Sequence, residues 1–292
     1  MKKFKIHKLR FSLFLILVFI SIAVPTYFFL MKHHPAIKIP TETMNNQNKE
    51  TQEQNIDDNI IPESDTHSQD FVISQPIHSY IEGSNASAQG KIYYSGPSTQ
   101  KMIALTFDDG PDRYFTGKIL DILKQYNVKA TFFEIGKNAK AYPSVIKRID
   151  KEGHAIGNHT YDHANLNHLS SEQIASEITK TDNILDSIIG HHNNILRPPY
   201  GINSSETIKT VSGMGYKVID WSVDTRDWAG TPPSKIMNYV LDETRPGAII
   251  LHHCSSSRAN GLDNTLNALP HEILMLKSKG YQFVTVPQLL GT

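Results

Sequence analysis

From about residue 99 onward, short apolar runs alternate with longer stretches whose apolar positions recur every three or four residues. The runs are 102–107 (MIALTF), 131–135 (TFFEI), 155–158 (AIGN), 216–221 (YKVIDW), 248–252 (AIILH) and 281–286 (YQFVTV). The stretches 114–126, 141–152, 170–189, 204–214, 232–243 and 264–279 have the length and period of amphipathic helices. Ser170 with Gln173 three residues on forms a capping box, and Ser234, after two prolines, reads as a second helix start. Gly153, Gly215 and Gly280 stand where a helix should stop before the next strand. This alternation predicts an α/β domain of parallel strands with crossover helices, either a barrel or an open doubly wound sheet. Both architectures gather active sites at the C-terminal ends of their strands.

The first 98 residues follow a different pattern. Residues 11–31, FSLFLILVFISIAVPTYFFLM, carry no charge, and about 20 such residues suffice to cross a bilayer. Five basic side chains and no acid precede them in residues 1–10, which predicts a cytoplasmic basic tail and an outward-facing remainder. The run ends in YFFLMKHH without a small-x-small cleavage site, so an uncleaved single-pass anchor is expected rather than a cleaved, secreted form. Residues 32–98 then read as an extracellular linker. Its first part is nearly all polar, as in TETMNNQNKETQEQNIDDN, and cannot bury enough surface to offset chain entropy. FVISQPIH, at 71–78, is a candidate short strand within it.

Charge narrows the partners. With five of the 29 basic side chains in the tail, the remainder holds 24 basic against 29 acidic groups. A broad nucleic-acid surface is not indicated. The single cysteine, Cys254, rules out an internal disulfide and reads as a half-buried bystander.

The polar groups that carry chemistry fall at the ends of the apolar runs. TFDDGP, at 106–111, places Asp108 and Asp109 side by side at the mouth of a strand, where a cation would relieve their repulsion. His159 and His163, in NHTYDH, are four residues apart, a spacing that puts both on one face of a helical turn within reach of one metal. Thr160 stands where the HExxH zinc signature has its glutamate, so either aspartate is a candidate base. Arg197-Pro198-Pro199-Tyr200-Gly201, Asp224-Thr225-Arg226-Asp227-Trp228 and Leu251-His252-His253 close three further runs. Singly, each reads as a rigid turn, a helix cap or a histidine bonded to a backbone carbonyl. Five such clusters in one domain point to a shared site. His154, His191 and His192 read as structural or exposed.

The ordered series TFDDGP, HTYDH, RPPYG, DTRDW and LHH resembles the five motifs of the polysaccharide deacetylases, carbohydrate esterase family 4, over roughly residues 99–290 of a domain expected to span 99–292. The resemblance implies a distorted (β/α) barrel of parallel strands and metal-dependent removal of acetyl groups from N-acetylated sugars. It implies that Asp109, His159 and His163 hold one divalent metal, zinc first and cobalt or nickel as alternatives. Asp108 would be the base acting on a metal-activated water, with Arg197 holding it charged, and the Tyr200 N–H would face the oxyanion. Asp227 would orient His252, the general acid. Trp228, Leu251 and Pro199 would wall the acetyl pocket. His253 stands where the family often has an acidic residue.

The expected function is N-deacetylation of N-acetylglucosamine in a cell-envelope polysaccharide, peptidoglycan first. Chitin oligomers and an N-acetylated exopolysaccharide are the alternative substrates. A metal-dependent phosphoesterase would need a second metal, for which the sequence offers no further ligand cluster. A catalytically inactive wall-binding module would lack a base or an acid, and both are present.

Overall fold

The computed structural model describes residues 90–201, 204–256 and 261–291. The basic tail 1–10, the apolar run 11–31, the linker up to residue 89 and its candidate strand at 71–78 lie outside the described residues. Among the described residues, no helix is long and apolar enough to cross a membrane.

The elements run β1 (Ile92–Tyr93), β2 (Met102–Gly110), α1 (Phe115–Gln125), β3 (Thr131–Glu134), α2 (Gly136–Ala141), α3 (Pro143–Lys151) and β4 (Ala155–Asn158). They continue through α4 (Ser171–Ile189), β5 (Ile195–Leu196), α5 (Ser205–Gly213), β6 (Lys217–Ile219), β7 (Val223–Asp224) and α6 (Pro233–Glu243). The last are β8 (Ile249–His253), α7 (Asp263–Ser278), β9 (Gln282–Phe283) and α8 (Val286–Leu290). The ladders between these strands are all parallel, in the order β1-β6-β5-β4-β3-β2-β8-β7, with β9 joined to the start of β2. The result is a curled sheet, a distorted barrel whose ends β1 and β7 do not pair.

The expected linker–domain boundary at residue 99 falls after the sheet has begun. Ile92 and Tyr93 pair with Val218 and Ile219 before it. Ser170 makes both halves of its capping box, with its side chain accepting from the Gln173 amide. Ser234 does not cap. Helix α6 begins at Pro233, whose missing N–H costs nothing at a first position, so the cap falls on Pro232.

Period-2 alternation sorts each strand into two layers. On β2, Ile103, Leu105 and Phe107 pack under the helices with Leu120, Leu123 and Phe132, and Phe107 stacks on Phe132 at 5.1 Å. Each of these fully buried rings contributes about 1.5–3 kcal/mol. Ala104 faces the other way, into a smaller interior cluster with Phe133, Ile195, Ile219 and Ile249. Gly157 allows that interior to close, because a Cβ there would sit 2.5 Å from the Phe133 ring.

Candidate active site

The interior layer turns polar toward the C-terminal ends of the strands. Thr106 and Asp108 follow Ala104 on the inner face of β2. Strict alternation would send Asp109 outward under the helices. Instead the β2–β3 register slips between Asp108 and Gly110, and Asp109 adopts φ 73°, so both carboxylates can serve one site. The Asn138 side chain holds this turn by donating to the Asp109 carbonyl at 2.9 Å.

His159 and His163 arrive on an irregular loop after β4. Contrary to the expected helical turn, Thr160 and His163 have φ 66° and 65°, which break any helix. Buried acceptors fix the loop. The Asn158 side chain takes the Thr160 amide, and Glu177 of α4 takes the amides of Tyr161 and Asp162. One ligand atom each from Asp109, His159 and His163 lies within 4.8 Å of the others.

Nδ1 of His159 lies 2.6 Å from the Arg197 carbonyl. That carbonyl can only accept, so Nδ1 carries the proton and the Nε2 lone pair faces Asp109 Oδ1 at 3.4 Å. His163 Nε2 lies 3.2 Å from the same oxygen, which has no hydrogen-bond partner among the described residues. Lone pairs converging on a space between them fit a divalent cation, and two imidazoles with one carboxylate are a normal catalytic zinc donor set.

Asp108 is nearly buried, and Arg197 faces it from the end of β5. Arg197 Nη1 donates to Asp108 Oδ1 and to the Thr106 hydroxyl, both at 2.8 Å, and Nη2 donates to the Asp220 carbonyl at 3.0 Å. Its guanidinium is fully buried 4.3 Å above the Phe133 ring. The next turn carries Pro199, which is buried, and Tyr200, with φ 64° and its ring 4.6 Å from that of His163. Gly201 closes that turn against Trp221, where a Cβ would lie 2.6 Å from the ring.

The fifth cluster requires a correction. His252, expected to face the site, points under the helices. It is the register partner of Phe107, stacks on it at 5.5 Å and is fully buried. His253 is the register partner of Asp108 and shares its face. Asp227, expected to orient His252, instead holds His253 twice. Its Oδ1 lies 2.7 Å from the His253 Nδ1, and its Oδ2 accepts the His253 amide at 2.9 Å. Burial pushes the His253 pKa down, but Asp227, followed by Asp108 and Asp109, raises it to about 9. The period-2 rule held the missed signal: Leu251 and His253 share one face of β8, and His252 has the other. Leu251 is buried on the inner layer, while Trp228 is 60% exposed at the rim.

The remaining groups are structural. His154 Nδ1 accepts the Ala130 amide at 3.1 Å. His191 and His192 pair with Asp150 and Asp186. The Cys254 thiol is buried, its sulfur 3.3 Å from the Asp108 carbonyl, and burial followed by Glu134 keeps it protonated. The Glu134 carboxyl, unnoticed in the sequence, is fully buried. Burial first, then Asp112, Asp108 and Asp109, pushes its pKa well above the ordinary range.

This chain is similar to known proteins. A family model described as polysaccharide deacetylase matches residues 95–219. A peptidoglycan-N-acetylglucosamine deacetylase of Bacillus cereus is 45% identical over 199 residues, 68% of this chain and 72% of its own length. A chitooligosaccharide deacetylase of Azorhizobium caulinodans is 37% identical over 200 residues, 64% of this chain and 94% of its own. The crystal structure of the Bc1960 peptidoglycan N-acetylglucosamine deacetylase aligns with a TM-score of 0.67 at 44% identity, covering 70% of this chain and 94% of that one. With this likeness and five motif clusters at one sheet edge, the chain belongs to the polysaccharide deacetylases of carbohydrate esterase family 4.

Proposed function

We propose that this chain is a membrane-anchored, outward-facing hydrolase that removes acetyl groups from N-acetylglucosamine residues of peptidoglycan. The observation that carries the reading is the convergence of Asp109, His159 and His163 on one point beside Asp108 and His253. The similar Bacillus cereus protein supports the substrate, and the basic tail with the apolar run 11–31 supports the anchor.

An acetamide is a weak electrophile with a poor leaving group, so the chemistry needs a base, an oxyanion donor and an acid. A divalent cation held by Asp109, His159 and His163, zinc by the donor set, supplies Lewis-acid polarisation of the carbonyl and a water acidic near pH 7. Asp108, held in place by the Arg197 guanidinium, accepts the proton of the attacking water. The Tyr200 amide is the backbone donor for the developing oxyanion, and losing one such donor typically costs about 10²–10³ in rate. His253, with Nδ1 held by Asp227, presents Nε2–H to the departing nitrogen, which leaves as an amine. This moves the acid role from His252 to its neighbour. Leu251, Pro199 and Trp228 bound the space for the acetyl methyl.

The test compares acetate release from purified peptidoglycan and from chitin oligomers by the wild-type protein, His253→Ala and His252→Ala. Release from peptidoglycan that survives His252→Ala better than His253→Ala supports the reading. Release from chitin oligomers alone moves the substrate, and an effect confined to His252→Ala returns the acid role to that residue.

A further inference from the structure

The carboxylate that orients His253 does not end the buried polar row behind it. Asp227 Oδ2, which also accepts the Thr265 hydroxyl at 2.9 Å, lies 3.8 Å from Nδ1 of His252. On its other side, His252 Nε2 lies 3.2 Å from Glu272 Oε1 and 3.1 Å from Oε2. Glu272 projects from α7, the helix that also supplies Thr265, and Asp227, His252 and Glu272 are all essentially inaccessible to water.

A buried carboxylate is costly unless a cation or donors meet it. Here two carboxylates flank one imidazole. A proton on each ring nitrogen lets the row alternate in sign, from Glu272 through His252 and Asp227 to His253. The electrostatics agree: burial pushes the His252 pKa down, yet Glu272 and then Asp227 raise it to about 10.

We propose that Glu272 and His252 are a positioning pair for the proton donor. His252, kept cationic by Glu272, braces the far side of Asp227 and offsets its charge, and so sets both the orientation of His253 and its hold on the proton. The proposal rests on the reading of His253 as the acid. Neither member of the pair touches substrate. His252 faces Glu272 from α7, Asp227 from the turn after β7 and the uncharged Phe107 ring from β2. His253 faces Asp227 and, across β2, Asp108 and Asp109. Without the His252 charge, Asp227 acts on His253 unopposed. The donor then binds its proton more tightly and gives it up to the leaving amine less readily.

Zinc-loaded full-length wild-type protein, His252→Gln, Glu272→Gln and Glu272→Asp are compared by two readouts. One is the pH dependence of kcat for acetate release from an N-acetylglucosamine oligomer. The other is an NMR titration of the histidine rings. In wild type, His252 should keep both ring protons through the neutral range. Glu272→Gln should let it titrate at about pH 6–8, near an unperturbed histidine, and Glu272→Asp should recover part of the wild-type behaviour. His252→Gln should raise the His253 midpoint by about half a unit or more and carry the alkaline limb of kcat with it. The same variant should lower kcat about tenfold with KM unchanged, as a misplaced catalytic group does.

An unmoved His253 titration and alkaline limb in folded His252→Gln and Glu272→Gln overturns the proposal. So does a neutral His252 in wild type at pH 7. If His252→Gln does not fold, the near-isosteric Glu272→Gln decides by the same readouts. A wild-type protein that releases no acetate breaks the functional reading, while the titrations still decide whether the pair governs His253.

Discussion

Replacing Arg197 with methionine strips Asp108 of its buried counter-charge. The guanidinium is fully inaccessible to water, and three hydrogen bonds of 2.8–3.0 Å are lost with it, two of them to side chains. Methionine keeps an apolar stem over Phe133, so the loss is chiefly electrostatic. Removing one partner of a buried ion pair costs about 3–5 kcal/mol, because a desolvated charge is left behind. At about 2–4 °C per kcal/mol for a domain of this size, the melting temperature should fall by about 6–20 °C. Urea unfolding of wild type, Arg197→Met, Asp108→Asn and the double variant measures the cost and the coupling. In the Asp108→Asn background the arginine substitution should cost less, by about 1–3 kcal/mol. A loss below about 1 kcal/mol, or an equal loss in both backgrounds, would refute the reasoning, because the orphaned charge is its main cause.

Three more outcomes are expected. His163→Ala, on the half-buried loop after β4, should cut metal bound per chain, read by elemental analysis, and acetate release should fall with it; full metal content with lost activity would remove His163 from the ligand set. Activity should fall as pH rises through the His253 midpoint, because an acid raised to about 9 is protonated below that value and spent above it. A bound dication moves that limb to lower pH, and a rate still climbing at pH 10 would contradict the assignment. Trp228→Ala should change stability by less than about 0.5 kcal/mol, since the ring is 60% exposed, while raising KM for the polymer. An unchanged KM would leave Trp228 without a role in binding.

How far the sequence reached depended on the range of the interaction. Helix α4 was readable to its cap, because the Ser170–Gln173 box is local. The strands leading to Asp108 and Asp109, and to His159 and His163, were readable as apolar runs ending in polar clusters. The path by which those side chains meet was not, since it depends on a register slip at Asp109 and left-handed turns at Thr160 and His163. The histidine that faces the site was misread because His252 follows the leucine directly, whereas strand geometry gives the leucine's face to His253. Glu272 and Glu134 gave no signal, because a lone glutamate in a helix or at a strand end looks solvated until tertiary packing buries it. Strand β1 and helices α2 and α8 are too short for periodicity to reveal.

The central claim is metal-dependent deacetylation at the Asp109, His159 and His163 site. It is tested most directly by acetate released from an N-acetylglucosamine oligomer as metal is removed and returned. The full-length protein is assayed as purified, after stripping by a chelator, and after return of zinc at one equivalent per chain. The account predicts that release stops on stripping and returns with a single equivalent. Release unchanged by stripping, or no release from folded, zinc-restored protein, would contradict it.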